Sequence, residues 1–197
     1  MDTSVNTLYP AFFKLNKIHM LIVGAGEVGL EKMQFILKSS PDAHITIIAP
    51  WQKEELLNLI ERHKNDLGRI ELVSRKFQSS DIIGHDLIIA ATNLPEVNHQ
   101  VYTSAKYHGK LVNVADTPDL CDFYMGSIVT RGSLKVAIST NGKSPTFAKR
   151  FRQVLEEILP HDTDDLLRNL KVIRDRLKGG FEYKVKELNR ITSTLVN

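Results

Sequence analysis

The sequence has a single cysteine, Cys121, so no internal disulfide framework can form. Nor does it contain an apolar run of about eighteen residues, the length a membrane-crossing helix needs, or a charged-then-apolar leader ahead of the first predicted strand. The expectation is a cytoplasmic protein with no membrane partner. Long Lys/Arg blocks are missing too, as is the mixing of basic and aromatic residues that a nucleic-acid groove uses, so nucleic acid is not an expected partner. With a formal net charge of only +3, an anionic small molecule is the better match. The histidines (His19, His44, His63, His85, His99, His108 and His161) show no His-x-His or His-Glu-x-x-His spacing, and no Cys-x-x-Cys exists, so no metal site is predicted. Cys121 has no evident base partner and reads as a small buried apolar residue rather than a nucleophile.

What remains is ordinary globular material: 197 residues, 42% hydrophobic and 25% charged. Residues 17–23 are a short apolar run stopped by Gly24, which predicts a parallel strand buried on both faces. A helix over 27–38 follows, then a strand over 44–49, a helix over 52–63 and strands over 70–74 and 86–91. A helix over 95–108 and a strand over 111–114 close the pattern. Strands alternating with helices predict an α/β fold, a Rossmann-like doubly wound parallel sheet with its ligand site at the carboxyl ends of the strands.

The rhythm changes after Asp116. Residues 126–130 and 134–139 are β-rich and only three residues apart, too close for a crossover helix, so an antiparallel hairpin is expected. Ser144 and Pro145 then suit the N-cap and first position of a helix to 159, with Phe147, Phe151, Val154, Leu155 and Ile158 on one stripe. Two more helices, over 163–177 and 181–195, are separated by Gly179-Gly180. The expected division is a dinucleotide-binding domain over 1–115, a hairpin segment over 116–143 and a C-terminal helical domain over 144–197.

Gly24-Ala25-Gly26-Glu27-Val28-Gly29 is a Gly-x-Gly-x-x-Gly loop in the context that gives the motif meaning, after a strand and opening a helix. Gly24 makes the tight turn, Gly26 lets the backbone approach a pyrophosphate and Gly29 lets the helix pack on its strand. The acidic residue usual at the end of the second strand is replaced by Ala49-Pro50, so NAD and NADP are not separated by it, and Pro50 stands where the adenosine is expected. Lys53 suits either a 2′-phosphate or solvated surface. Thr92 and Asn93 follow the fourth strand, and Asn113, Asp116 and Thr117 end or follow the fifth, so both groups are expected at the cofactor cleft. Thr92-Asn93 equally suits a turn or cap before Pro95, and Asp116 an Asx turn before Pro118.

The chain resembles the precorrin-2 dehydrogenase family, whose members stand alone or form the N-terminal part of sirohaem synthases. The likeness is carried by Tyr9-Pro10-Ala11-Phe12, the Gly24 to Gly29 loop, Ile48-Ala49-Pro50, Ala90-Ala91-Thr92, Asn113-Val114-Ala115-Asp116, and Ile138 through Pro145 (Ile-Ser-Thr-Asn-Gly-Lys-Ser-Pro). The resemblance implies NAD-dependent oxidation of precorrin-2 to sirohydrochlorin in a homodimer joined through the middle segment. In some members the same site also inserts ferrous iron. The family's essential aspartate maps onto Asp116. Asn141 stands where many members have glycine, and Gly126 where many have proline.

Precorrin-2 carries many carboxylates. Asn141, Gly142, Lys143, Ser144 and Thr146, at a helix N-terminus, form the candidate cradle for them, with Lys149 and Arg150 nearby in sequence. Ser144 equally suits simple capping, and Lys149 and Arg150 a solvated face. From other classes, a non-enzymatic NAD-responsive regulatory module would fit the first half alone. An unrelated small NAD(P) reductase would normally show a Tyr-x-x-x-Lys pair, and Tyr183 with Lys186 has the wrong spacing.

Overall fold

The computed structural model describes residues 5–64 and 68–193. The chain divides into two compact units, the first 1–125 with 141–143 and the second 126–140 with 144–197.

In the first unit β1 (His19–Ala25), β2 (His44–Gln52), β3 (Arg69–Val73), β4 (Leu87–Ala90) and β5 (Leu111–Val114) form one parallel sheet in the order β3-β2-β1-β4-β5. The expected Rossmann-like architecture is the observed one. Six of seven positions in β1 and all four in β4 are buried, because central parallel strands are covered on both faces. Side chains alternate between two cores. Met20, Ile22, Ile45, Ile47 and Ile89 pack against Met33, Ile36 and Leu37 of α1 (Glu27–Ser39) and Leu56 and Leu59 of α2 (Glu54–Arg62). Leu21, Val23, Ile88, Ala90 and Val112 pack on the other side against Val101 and Ala105 of α3 (Pro95–Tyr107).

The chain steps from β1 to β2 to β3 in one direction and from β1's other neighbour, β4, to β5 in the opposite one. Strand order therefore reverses between β1 and β4, and the crevice of a doubly wound sheet opens at the carboxyl ends of these two strands. No α-helix links β3 to β4. A single 3₁₀ turn, Ser79–Ile82, does so, anchored by fully buried Ile82 and by Arg75, whose guanidinium donates to both oxygens of Asp81 at 2.8 and 2.7 Å.

The second strand runs three residues further than expected. After an irregularity in register, Ala25 of β1 pairs with Gln52, and the Lys53 amide donates to the Ala25 carbonyl at 3.0 Å. Consequently α2 starts at Glu54 rather than Gln52, with Lys53 as its N-cap residue.

In the second unit β6 (Ser127–Arg131) and β7 (Leu134–Ile138) form the expected antiparallel hairpin, with Ser127 opposite Ile138 and Arg131 opposite Leu134. Gly126 precedes it where a side chain has no room, since a Cβ there would lie 2.5 Å from the Ile138 carbonyl oxygen. Three helices follow: α4 (Pro145–Ile158), α5 (Thr163–Arg176) and α6 (Phe181–Ile191). Position 195, the expected end of the last helix, lies outside the described residues. The Arg131 guanidinium donates to the Glu156 carbonyl in the last turn of α4, and Asp164 of α5 accepts the Ser133 amide of the hairpin turn at 2.7 Å.

The apolar stripe of α4 does not face a core within the chain. Phe147, Phe151, Val154 and Ile158 are exposed, and Phe147 and Phe151 stack with ring centroids 5.9 Å apart. Ala148 is the buried residue of that helix. Among the described residues no helix is long and apolar enough to cross a membrane.

Candidate functional site

The glycine loop lies where β1 leaves the sheet. Gly24 has φ +112, and a Cβ on it would fall 2.4 Å from the carbonyl oxygen of Ala91, so the loop passes against the end of β4. A Cβ on Gly29 would fall 2.2 Å from the Gly24 carbonyl oxygen, which is why α1 can sit tightly on its own loop only with glycine there. Gly26 differs from both. A Cβ on it would meet nothing within 4 Å, so the space beside its backbone is open. Two glycines are consumed by packing, and the third leaves room beside the N-terminus of α1, whose first amide groups have no intrahelical acceptor. That combination fits a pyrophosphate lying on the helix N-terminus.

Ala25 is buried, Val28 is half-buried, and Glu27 points outward. The Glu27 carboxylate pairs with the Lys53 ammonium, which also lies 3.4 Å from Glu55. Hydrogen bonding to Glu27 is the largest effect and raises the Lys53 pKa; burial, the next largest, opposes it, and the charges of Glu27 and Glu55 add to the rise. Lys53 is thus tied to the glycine loop itself. Pro50 is exposed, and so is Trp51, at 66%.

Across the crevice, Thr92 is held by a residue the sequence reading missed. Buried Asn98 of α3 accepts from the Thr92 amide at 3.1 Å and its hydroxyl at 2.7 Å, and donates to the Thr92 carbonyl at 3.0 Å. The Thr92 hydroxyl also accepts the Leu94 amide at 3.1 Å, closing a turn ahead of α3, whose N-cap residue is Leu94. The available signal was a lone amide on the buried stripe Asn98, Val101 and Ala105. Asn93 is exposed beside it.

At the end of β5, Asn113 is 6% exposed and donates to the Phe123 carbonyl at 2.9 Å and to Cys121 Sγ at 3.3 Å. Both amide hydrogens are turned into the protein, so Asn113 is not a donor toward a ligand. Asp116 is exposed and has φ +57, one of two non-glycine residues with a left-handed backbone among those described. The other is Asn141, with φ +53, followed by Gly142 at +75. Asparagine and glycine tolerate this conformation best, which accounts physically for asparagine at a place where many members of the resembling family carry glycine. Ser144 caps α4, its hydroxyl accepting the Phe147 amide at 3.1 Å, while Lys143 and Thr146 are exposed. Among the described residues no group of three or more His, Cys, Asp or Glu side chains suited to a metal ion occurs.

Residues 11–127 match a family model described as NAD(P)-binding, a stretch that runs from before β1 to the first residue of β6. The chain belongs to this NAD(P)-binding family. Residues 131–158 match a second family, described as the central part of sirohaem biosynthesis proteins. The siroheme synthase of Methylococcus capsulatus is 38% identical over 169 residues, covering 86% of this chain and 34% of the relative. That of Pseudoalteromonas atlantica is 33% identical over 178 residues, covering 90% of this chain and 37% of the relative. The chain thus spans about a third of the length of these relatives. Among solved structures, SirC, a precorrin-2 dehydrogenase, superposes with a TM-score of 0.73 at 24% identity, covering 93% of this chain and 89% of SirC, a likeness of fold. The resemblance drawn from the sequence is borne out by these relatives.

Proposed function

We propose that the chain oxidises precorrin-2 to sirohydrochlorin with NAD as the acceptor. One observation carries the reading: the two family matches together take in every candidate residue, Gly24 to Asp116 within 11–127 and Asn141 to Thr146 within 131–158. The bound nicotinamide supplies the hydride-accepting chemistry. The chain's own work is to hold the dinucleotide through the Gly24 to Gly29 loop and to fix the substrate beside it. Pro50, Thr92, Asn93 and the backbone around Asn113 flank that cofactor. Asp116 meets the substrate, either taking the departing proton or accepting a pyrrole N–H. Asn141, Gly142, Lys143, Ser144 and Thr146 receive a substrate carboxylate, aided by a first turn of α4 that carries no acidic residue.

The Lys53 pairing favours NAD over NADP. A 2′-phosphate near the end of β2 would meet two carboxylates, Glu27 and Glu55, for one ammonium, whereas a ribose hydroxyl can donate to a carboxylate. The exposed stripe Phe147, Phe151, Val154 and Ile158 supports a homodimer that buries it, since contiguous apolar surface of this kind marks an interface.

The test is anaerobic turnover of precorrin-2, made in place by a separate methyltransferase, with NAD present and both NADH and the sirohydrochlorin spectrum followed. NAD-dependent appearance of sirohydrochlorin is the expected result. Ferrous iron added afterwards reads out metal insertion against a no-enzyme control. Binding of NAD without product would overturn the enzyme reading in favour of an NAD-responsive regulatory module.

A further inference from the structure

We propose that Asn113 and Cys121 form a clamp that positions Asp116, with the thiol serving as both hydrogen-bond acceptor and donor. The inference rests on the reading of Asp116 as the group that meets the substrate.

The Cys121 sulfur accepts from Asn113 Nδ2 and from the Val114 amide, both at 3.3 Å. Its S–H has two carbonyls in reach, Val114 at 3.2 Å and Thr117 at 3.4 Å. Val114 precedes Asp116 by two residues and Thr117 follows it by one, so a single sulfur ties down both ends of the segment that carries the carboxylate. A second tie lies just outside it. The Asp122 amide donates to the Val112 carbonyl at 2.8 Å, and the Asp122 carboxylate accepts the Val112 amide at 3.0 Å and the Lys106 ammonium at 2.7 Å.

Asp116 needs such restraint. A left-handed backbone at a residue with a side chain is costly and persists where the surroundings over-determine it. Burial also raises the Cys121 pKa, so the sulfur stays a thiol, the form that can donate. The side chains of Asn113 and Cys121 touch neither substrate nor cofactor in this scheme. They are positioning residues acting through Asp116.

The test compares full-length wild type with Cys121→Val, which keeps volume and loses the hydrogen bonds, Cys121→Ser, which keeps a donor and acceptor, and Asn113→Leu. Hydrogen exchange is read at the Thr117 and Leu120 amides, alongside kcat and the NAD Kd. Cys121→Val and Asn113→Leu are expected to speed exchange at those amides by about tenfold. Both are also expected to lower kcat by roughly ten- to a hundredfold, Cys121→Val with the NAD Kd unchanged. Cys121→Ser should restore most of both. Unchanged exchange in Cys121→Val overturns the proposal. So does a serine variant as impaired as the valine one, or a loss of NAD binding in step with kcat in Cys121→Val, because either pattern means packing rather than positioning. If wild type fails to turn over precorrin-2, the functional reading falls, while the exchange measurement still decides the clamp.

Discussion

Lys53, the N-cap residue of α2, is ion-paired with Glu27, the fourth residue of the glycine loop. The pairing joins the two segments that would enclose an adenosine ribose. Replacing both partners in Glu27→Gln, Glu55→Gln frees the ammonium and removes two carboxylates. With the ammonium freed and two repelling carboxylates gone, the NADP affinity relative to NAD should rise roughly three- to tenfold. Parallel titrations with the two dinucleotides check this, and an unchanged ratio would remove Glu27 and Glu55 from cofactor choice.

Gly26 and Gly29 should separate cleanly on substitution. Gly26→Asp is expected to abolish NAD binding while leaving the melting temperature nearly unchanged, since a side chain there enters open space. Gly29→Ala is expected to destabilise the fold by about 1–3 kcal/mol, because its Cβ has only the Gly24 carbonyl to displace. Thermal melts with and without NAD distinguish the two effects.

Asp116→Asn keeps a hydrogen-bonding group and tolerates the left-handed backbone but cannot take a proton. If Asp116 is the base, kcat should fall on the order of a hundredfold or more, with substrate KM little changed. If it orients a pyrrole N–H, asparagine should retain most of kcat and alanine should not. Steady-state kinetics of the two variants, set beside their NAD Kd, decide between these roles.

Acid stability should follow Asp81 and Asp164. Hydrogen bonding from Arg75 holds the Asp81 carboxyl below its ordinary pKa, and the Ser133 amide does the same for Asp164. A pKa depressed in the folded state contributes stability that is fully present above the unfolded value of about 3.9 and is lost as pH falls through the folded one. Asp81→Asn should therefore be less stable than wild type at pH 7, with the gap narrowing below about pH 4. Denaturant melts at both pH values measure it, and a gap independent of pH would mean that the Arg75 pairing carries no linkage.

Phe151→Glu places a charge in the middle of the exposed stripe of α4. Sedimentation equilibrium should give a dimer for wild type and a monomer for the variant, with far-UV circular dichroism unchanged. A monomeric wild type would end the homodimer proposal.

The sheet was legible because short apolar runs buried on both faces and the positions of Gly24 and Gly29 are local facts, set by strand and loop sterics. What escaped was tertiary. Asn98 and Thr92 are six residues apart, and only the packing of α3 on the sheet turns that amide into the brace of the turn. Cys121 reads as a small buried residue until the chain folds back along β5 and gives its sulfur four polar neighbours. The stripe on α4 is legible from its spacing alone. Periodicity reports that a face is apolar, not what covers it.

Trp51 is the only indole in the sequence, and it stands in water one residue from Pro50. Excited at wavelengths the five tyrosines do not absorb, its fluorescence comes from one place, beside the expected adenosine end of the cofactor, with no second indole to dilute it. Tryptophan emission overlaps the absorption of reduced nicotinamide. If the dinucleotide binds there, quenching of Trp51 should report loading in a single cuvette and without a label, and energy transfer should tell the reduced dinucleotide from the oxidised one.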